Sequence, residues 1–334
     1  MIAACTILIP THNRHHFLDR CIRWFLELPY PIVIADSSRV EWQSDFRGHE
    51  RIRYIHVPGG NEVFVSKLQQ GLAAVQTPYV AMCADDDFIT AEGLARSIAF
   101  LDMHPDYSYC QGYAYFFQPF DACVVTWPMP YDDHDLHANA WLDRVERASS
   151  PAIYGVNRIG PLRAVFEFIA RQNFAEIVDN LDAFFHLAFD ALIARQGKFN
   201  RCRVPFNLRE YAPLSSGGAR SFMTIVSHDV PNFHRNLVAE LMQGSGSEVE
   251  RERLLKCFAR HYAMLILHDL SRGGSKKRFF RHWPEAWVRR VEFLYRLLHA
   301  IGVYAAWDCW PFLKIFFHPE YRRFRTMVIQ RGAR

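Results

Sequence analysis

Three consecutive aspartates, Asp85, Asp86 and Asp87, follow an apolar run in the stretch YVAMCADDDFI, residues 79–89. Carboxylates this close repel one another and raise one another's pKa unless a cation offsets their charge. Mg²⁺ or Mn²⁺ can supply that charge when it is held by one or two carboxylates together with substrate phosphates. The triplet therefore predicts a divalent cation site that binds a nucleoside diphosphate, and a solvated acidic turn is the alternative.

Two further polar clusters follow apolar runs earlier in the chain. Thr11, Asn13 and Arg14 come after CTILIP, and Asp36 with two serines comes after PIVIA. If the three apolar runs are neighbouring parallel strands, their carboxyl ends meet at one crevice, where ligands bind in sheets of this type. For Asn13 and Asp36 the alternative is capping of the helix or turn that follows.

The elements that must position these clusters alternate along the chain. Runs typical of buried strands (CTILIP, PIVIADSS, IRYIHV and YVAMCA) are interleaved with stretches of helical spacing such as RHHFLDRCIRWFLEL and TAEGLARSIAFLDMH. Strands alternating with crossover helices predict a doubly wound α/β sheet.

Residues 1–120 resemble the inverting glycosyltransferases of family 2, which have the GT-A fold. TILIPTHNR resembles the first strand and loop of that family, IADSS its nucleotide-binding turn, and TPYVAMCADDDFI its DXD strand, in the same order and spacing. The second turn departs from the family, which commonly has a paired acid and a glycine there. The resemblance implies a Rossmann-like GT-A sheet of the nucleotide-diphospho-sugar transferase type, to which a C-terminal helical extension is added.

The resemblance also implies roles for the polar clusters. Asp85 would lie near the ribose and the metal, and Asp87 would bind the Mg²⁺ or Mn²⁺ ion that bridges the donor diphosphate. The nucleotide would be held by residues of the first loop, the second strand and the triplet: Pro10, Thr11, Asn13, Arg14, Asp36 and Asp85. The donor expected is a nucleotide sugar, most simply a UDP-sugar.

An inverting displacement further requires a carboxylate base that takes the proton of the acceptor hydroxyl. On a helix, the spacing of NFAEIVDNLDAFFHLAFDALIARQGKF would place one polar stripe along a single face: Glu176, Asp179, Asp182, His186 and Asp190. Asp182 and Asp179 are the candidates for the base, Asp182 slightly ahead, and His186 would orient it. The alternative is the solvated face of an amphipathic helix.

Acceptor contacts are expected upstream of this stripe, in PAIYGVNRIGPL, with Tyr154 and Arg158 as the candidates. Core packing and a surface ion pair are the alternatives for these two residues. The stretch DDHDLH at 132–137 has metal-binding residue types, but its turn composition favours an exposed loop. His228 could complete a metal shell, although an ordinary loop residue is the preferred interpretation.

The chain divides into an acidic body and a basic, aromatic end. Residues 276–334 carry a net charge of +9, so the rest of the chain carries −5 of the total of +4. We expect a GT-A catalytic domain over residues 1–214, with a nucleotide-sugar half (1–120) and an acceptor half (121–214). Residues 215–334 would form a helical region that binds an anionic membrane surface or packs on the protein.

The function predicted is a metal-dependent inverting glycosyltransferase of surface polysaccharide or glycoconjugate assembly, with a glycan or lipid-linked glycan acceptor. The N-terminus lacks a signal-peptide pattern and the eight cysteines are scattered, which favours a cytoplasmic protein, peripheral at the inner face of a membrane. A homo-oligomer remains open, and no motif indicates nucleic acid binding. The alternatives are a non-catalytic nucleotide-sugar-binding or scaffolding protein and, third, a sugar nucleotidylyltransferase.

Overall fold

The computed structural model describes residues 4–120, 123–129, 137–147, 152–172, 181–211, 229–244, 246–272, 294, 297, 298 and 314–329. Within these ranges, nine strands form a single sheet. The strands are β1 (Cys5–Thr11), β2 (Ile32–Asp36), β3 (Ile52–His56), β4 (Tyr79–Met82), β5 (Phe88–Ile89), β6 (Tyr107–Phe120), β7 (Cys123–Pro128), β8 (Val156–Arg158) and β9 (Lys198–Glu210).

The sheet is parallel in its first part and mixed thereafter. Its strand order is β3-β2-β1-β4-β8-β6-β9-β5, with β7 paired to β6. The first four strands in this order are parallel, and Thr11 is in register with Asp36 at the ends of β1 and β2. Strand β8 is antiparallel to both β4 and β6, whereas β6 and β9 are parallel. The clusters after β1, β2 and β4 therefore lie at the same edge.

The helices lie on both faces of the sheet. They are α1 (His15–Phe25), α2 (Phe64–Ala73), α3 (Ala91–Met103), α4 (Trp141–Arg147), α5 (Ile159–Arg171), α6 (Leu181–Gln196), α7 (Asp229–Leu241), α8 (Glu248–Arg272) and α9 (Pro319–Ile329). None of the helices in the described ranges has a stretch long and apolar enough to cross a bilayer. Between β2 and β3 the chain forms only a 3-10 turn, Asp45–Gly48, instead of a crossover helix.

Alternating side chains of the central strands build two cores. Ile7 and Ile9 of β1 face α1 and α3, whereas Leu8 faces the opposite side, where α2 and α4–α8 pack. All three side chains are fully buried. Both faces of β1 are covered, which explains why residues 7–9 are apolar without alternation.

The C-terminal segment 314–329 packs on the α1/α3 face of the sheet. Phe324 of α9 is fully buried and lies edge-to-face on Phe88 and Phe117, with ring centroids 5.3 and 4.7 Å apart. The Glu320 carboxylate accepts hydrogen bonds from the backbone N–H groups of Ala91 and Glu92 at 2.7 and 3.2 Å. It thus satisfies free donors in the first turn of α3, where a negative charge is favoured.

The prediction of an α/β sheet with C-terminal helices is confirmed. The doubly wound arrangement holds for β1 to β4, and the antiparallel β8 makes the second part of the sheet mixed. Of the basic C-terminal region, the described segment 314–329 contributes Ile315, Tyr321, Phe324 and Val328 to the core beside α1 and α3. This segment therefore packs on the protein, which is one of the two arrangements expected for the C-terminal region.

Candidate functional site

The loop after β1 is tied to the aspartate triplet. Thr11 Oγ1 donates a hydrogen bond to Asp85 Oδ2 at 2.6 Å. The Arg14 guanidinium donates to Asp86 Oδ2 at 2.8 Å and also to Asp85. Asp85 is fully buried and Asp86 is 8% exposed, so the triplet is part of the interior and not a solvated acidic turn. Three of the predicted nucleotide-binding residues, Thr11, Arg14 and Asp85, thus meet in one contact network.

Asp36 lies at the end of β2 and is fully buried. One of its oxygens accepts hydrogen bonds from the Tyr54 hydroxyl at 2.7 Å and the His15 ring at 2.9 Å, and the other accepts from the Ser38 N–H at 2.7 Å. Burial raises the pKa of Asp36, but these donors outweigh it, so the pKa lies below its ordinary value. The carboxylate is therefore charged and held in a fixed orientation.

Asn13 has a positive φ of 55° and shapes the loop between β1 and α1. Asparagine is one of the few residues that adopt this left-handed conformation readily. Its N–H donates to Ser38 Oγ at 2.7 Å, and its side-chain oxygen accepts from the Arg39 N–H at 3.1 Å. Asn13 is exposed and Pro10 is half-buried, so both are open to a ligand at this edge.

Lys67 of α2 forms hydrogen bonds to the ends of both β1 and β2. Its ammonium group donates to the Thr11 carbonyl at 2.7 Å and to Ser37 Oγ at 2.8 Å, and the residue is only 3% exposed. Burial lowers the pKa of Lys67 to about 8, although the charges of Asp36 and Asp85 act in the opposite direction. Lys67 therefore places a cation beneath the crevice.

Asp87 connects the triplet to the end of β9. Its Oδ1 accepts a hydrogen bond from the Glu210 N–H at 3.1 Å, and its Oδ2 lies 3.3 Å from Arg209 Nε. Arg209 in turn donates to the Tyr154 hydroxyl at 3.0 Å, with its guanidinium 4.0 Å from the centre of the Tyr154 ring. The predicted acceptor residue Tyr154 is thus linked to Asp87 through Arg209.

The buried carboxyl groups of the triplet have raised pKa values. Burial is the largest cause for both, raising the pKa of Asp85 to about 6 and that of Asp87 to about 8, and Asp86 adds to the rise. The arginines Arg14 and Arg209 oppose it without cancelling it. The site therefore favours any ligand that brings additional positive charge to these two oxygens.

A buried ion pair between Arg20 and Glu210 contacts the backbone of the triplet. Arg20 of α1 pairs with Glu210 and donates to the Asp86 carbonyl at 3.0 Å. Its guanidinium lies between the rings of Phe17 and Phe88, 5.2 and 5.0 Å from their centres. Arg20 is 7% exposed, and burial raises the pKa of Glu210 above its ordinary value. This pair fixes the backbone of Asp86 against the end of β9.

The oxygen atoms of the triplet fit a hard divalent cation such as Mg²⁺ or Mn²⁺. Asp87 Oδ2 is buried and accepts no hydrogen bond within the described ranges, and it lies 3.3 Å from Arg209 Nε, so a divalent cation at this oxygen would replace the arginine as its counter-charge. In the same ranges no three His, Cys, Asp or Glu side chains converge on one point. Such an ion commonly needs only one or two carboxylates when substrate phosphates supply further ligands. The donor set thus fits a cation that arrives with a diphosphate.

The other predicted residues are not all brought to this edge. Arg158 pairs with Tyr79 at the opposite end of β4, where it donates to the carbonyls of Tyr107 and His104 at 2.7 and 3.0 Å. Asp182 lies in the first turn of α6, but its side chain, like that of His186, is outside the described part of the chain. Asp179, residues 132–136 and His228 also lie outside it.

Sequence reasoning missed six residues that contact the predicted ones: His15, Arg20, Tyr54, Lys67, Arg209 and Glu210. The strand-end rule could have found Arg209 and Glu210, because both end the last long strand. Arg20 and Lys67 lie within amphipathic helices, where a cation is usually a solvated residue. No sequence signal distinguishes them from such residues.

Comparison with known proteins finds similarity over the region that contains this site. The model of the family "Glycosyl transferase family 2" matches residues 6–155. No curated protein sequence matches the chain. A crystal structure of S. aureus TarS 1–349 is 11% identical, with a TM-score of 0.53 over 90% of this chain and 80% of that one.

Two ligand complexes of the same TarS fragment are also similar. The complex with UDP is 10% identical, with a TM-score of 0.53 over 84% of this chain and 78% of that one. The complex with UDP-GlcNAc is 12% identical, with a TM-score of 0.50 over 78% and 73%. This chain spans only 46% of a longer TarS structure. At these identities the similarity establishes the fold, in agreement with the predicted GT-A fold. Residues 6–155, just under half of the chain, match the model of glycosyl transferase family 2.

Proposed function

We propose that this protein transfers a sugar from a nucleoside diphosphate donor to an acceptor hydroxyl, with inversion and with a divalent cation. The match of residues 6–155 to glycosyl transferase family 2 supports a glycosyltransferase that uses a nucleotide sugar. The observation that carries the finer proposal is the crevice at the ends of β1, β2 and β4. There Asp36 and the triplet are buried, Thr11 and Arg14 bind the carboxylates of Asp85 and Asp86, and Asp87 Oδ2 accepts no hydrogen bond within the described ranges.

The nucleoside would bind beside Asp36. A buried carboxylate that already has three donors in place is held in one orientation and can accept a further hydrogen bond from a ribose hydroxyl or a base N–H. Pro10 and Asn13 would line the same end, and Thr11 and Arg14 would hold Asp85 next to the ribose. The TarS fragment binds UDP and UDP-GlcNAc, which supports a uridine donor here.

Asp87 and Asp85 would hold the divalent cation, Mg²⁺ or Mn²⁺. When bound, such an ion offsets the charge that grows on the departing diphosphate. Arg14 and Arg209 now contact the triplet carboxylates and lie where they could also pair with phosphate oxygens. In this proposal the two arginines and the cation together would offset the charge of the leaving group.

The reaction would be a single displacement at the anomeric carbon. The acceptor oxygen attacks from the face opposite the diphosphate, and its proton passes to a carboxylate base. Asp182 is our first candidate for that base and Asp179 the second. Tyr154, which Arg209 links to Asp87, would contact the acceptor.

A thermal-shift screen tests donor binding. Purified protein is heated with a panel of nucleotide sugars, with and without Mn²⁺, alongside Asp87→Asn and the exposed control Asp106→Asn. We expect one donor to raise the melting temperature of the wild type and of the control only when Mn²⁺ is present. Asp87→Asn should lose at least tenfold in donor affinity, because a cation ligand is removed. No shift with any donor would contradict the proposal.

Donor hydrolysis and transfer distinguish an enzyme from a non-catalytic binding protein. Asp182→Asn and Asp179→Asn are compared with the wild type at saturating donor. Loss of a general base lowers the rate by about 10²–10⁴-fold. We expect one variant to show this loss and to keep its donor-dependent thermal shift. Donor binding without turnover in the wild type would favour the scaffolding alternative.

A membrane-bound acceptor is the final part of the proposal. The basic, aromatic composition of residues 276–334 suits an anionic surface at the inner face of a membrane, where a lipid-linked glycan would be presented. Sedimentation with vesicles of phosphatidylglycerol and phosphatidylcholine tests this directly. Binding that weakens as salt is added supports the proposal, and equal binding to neutral vesicles contradicts it.

A further inference from the structure

Two free thiols face each other across β6 and β9, outside the crevice. Cys110 Sγ and Cys202 Sγ are 3.5 Å apart, although the residues are 92 positions apart in the chain. The Asn200 side-chain amide lies near both sulfurs, with its nitrogen 3.6 Å from Cys110 and 3.8 Å from Cys202. The two sulfurs are therefore held in contact by the pairing of the strands.

The two thiols differ in their access to solvent. Cys110 is fully buried, whereas Cys202 is partly exposed. A small oxidant can therefore reach the Cys202 sulfur first and find the Cys110 sulfur behind it. The thiols of Cys21 and Cys83 also interact, but both residues are buried, so they provide an internal comparison.

The backbone next to Cys202 is irregular. The register of β6 and β9 shifts between the pairs Gln111–Arg201 and Tyr113–Pro205, so β9 contains extra residues opposite Gly112. A Cβ atom at Gly112 would lie 2.3 Å from the Val204 carbonyl oxygen, which shows how closely the bulge approaches β6. A bulge locally interrupts the ladder. To form a disulfide, the two sulfurs must move from 3.5 Å to a bonding distance of about 2.05 Å. Cys202 lies in the part of β9 that is outside regular pairing, so this part of the strand can make the movement.

We propose that Cys110 and Cys202 form an oxidisable dithiol that hydrogen peroxide converts into an intramolecular disulfide. In the first step, the Cys202 thiolate attacks one peroxide oxygen, the O–O bond breaks, and the departing hydroxide takes a proton to form water. In the second step, Cys110 attacks the sulfur of the Cys202 sulfenic acid. The S–O bond breaks, and the hydroxide leaves with the Cys110 proton as a second water. Two electrons pass from the thiols to the peroxide.

The electrostatics of the pair agree with this order of events. The hydrogen bond from Cys110 lowers the pKa of Cys202 despite its partial burial, and the Arg96 guanidinium lowers it further. The same hydrogen bond, together with burial, raises the pKa of Cys110. Cys202 is thus the thiol that ionises first, and the thiolate is the form that reacts with peroxide.

Peptide mapping of the oxidised full-length chain tests the inference. The reduced protein is treated with hydrogen peroxide, alkylated and digested without reductant. We expect a cross-linked peptide that contains Cys110 and Cys202, an intact mass lower by two hydrogens, and full reversal with dithiothreitol. Cys21 and Cys83 should remain reduced while the protein is folded. Absence of the cross-linked peptide at complete peroxide consumption would overturn the inference.

Single substitutions separate the two steps. In Cys110→Ala the sulfenic acid at Cys202 should persist and be trapped by dimedone, whereas Cys202→Ser should show neither the cross-link nor trapping at Cys110. Cys257→Ala, which removes another partly exposed thiol, is the matched control and should oxidise as the wild type does. Because Cys110 is buried, Cys202→Ser alone suffices if Cys110→Ala does not fold. Equal dimedone labelling of Cys202 and Cys257 in Cys110→Ala, or an unchanged cross-link yield at Cys110 in Cys202→Ser, would overturn the proposed preference.

Discussion

At the residue scale, the crevice contains buried carboxyl groups whose negative charge the neighbouring arginines only partly offset. Asp36 is satisfied by three donors, but Asp85 and Asp87 remain in an environment that raises their pKa. Such groups are stable in the fold only as neutral acids or with a counter-charge. This is why the triplet, which has no obvious role in packing, indicates ligand binding.

The protonation of Asp87 predicts how the metal-free protein responds to pH. Its pKa is raised from 3.8 to about 8 in the fold, so the folded state holds a proton that the unfolded state releases. The contribution of protonated Asp87 to the free energy of unfolding is therefore complete below pH 3.8 and is lost as the pH rises to about 8. In urea denaturation with a chelator present, we expect wild-type stability to decline over this range and Asp87→Asn to decline less. Asp106→Asn should follow the wild type, and parallel curves for all three proteins would contradict the prediction.

Lys67 allows a second test at this scale. Lys67→Met keeps the apolar stem but removes two hydrogen bonds, so we expect a loss of about 1–3 kcal/mol in the free energy of unfolding. Lys198→Met, which removes an ion pair with the exposed Asp106, should lose less than about 1 kcal/mol.

The pH dependence of the Lys67 effect has a defined sign. The pKa of Lys67 is lowered from 10.5 to about 8, so the unfolded state binds the extra proton between these values. Wild-type stability should therefore rise relative to Lys67→Met as the pH increases through this range. A gap between the two proteins that narrows instead would contradict the lowered pKa.

At the element scale, the ends of α1, β4 and β9 are held together by one buried ion pair. Arg20 belongs to α1, Glu210 ends β9, and the Asp86 carbonyl follows β4. Strand β5, directly after the triplet, also pairs with β9 at Phe88 and Leu208. The ion pair therefore adds α1 to a connection between the triplet and β9 that backbone pairing already makes.

A double-mutant cycle measures this coupling. Arg20→Met or Glu210→Gln leaves a buried charge without its partner, so each should lower the free energy of unfolding by about 3–5 kcal/mol. The double variant should lose less than the sum of the two. The same cycle on the exposed pair Arg251 and Glu248 should give a coupling energy below about 1 kcal/mol. Additive losses at Arg20 and Glu210 would show that the pair is not coupled.

At the scale of the whole molecule, β1 and α9, which are far apart in the sequence, contribute to one core. Phe324, near the C-terminus, packs on Phe88, the residue directly after the triplet. The Arg323 guanidinium lies 4.5 Å from the centre of the Trp24 ring in α1. The segment 314–329 is therefore part of the α1/α3 face and packs on β5, the strand that directly follows the aspartates.

Substitution of Phe324 tests whether this segment unfolds together with the sheet. Removal of a fully buried ring leaves a cavity, so Phe324→Ala should lower the free energy of unfolding by about 3–5 kcal/mol. Phe316→Ala, in the same segment but 39% exposed, should lose clearly less. Urea denaturation followed by circular dichroism provides the comparison. A change below about 1 kcal/mol for Phe324→Ala would indicate that the segment folds independently of the sheet.

The local pattern determined the strands and helices of the first half and the order of the polar clusters. Apolar runs of strand length, each followed by a polar cluster, reveal both the parallel sheet and its ligand edge, because neighbouring strand ends must meet. Thr11, Arg14, Asp36 and the triplet were found in this way, and the structure brings them into one network. The clusters lie within residues 1–120, where contacts follow from strand order.

Only the tertiary structure decided which distant residues complete the crevice. Arg20, Lys67 and Tyr54 acquire their roles from burial beneath it, and the same residue types on a solvated face would give the same sequence pattern. Arg158 shows the reverse, because a plausible position in sequence lies at the far end of β4. These positions depend on pairing between strands that are far apart in the sequence. Glu210 of β9 contacts Asp87 although more than a hundred residues separate them, and no local periodicity predicts that contact.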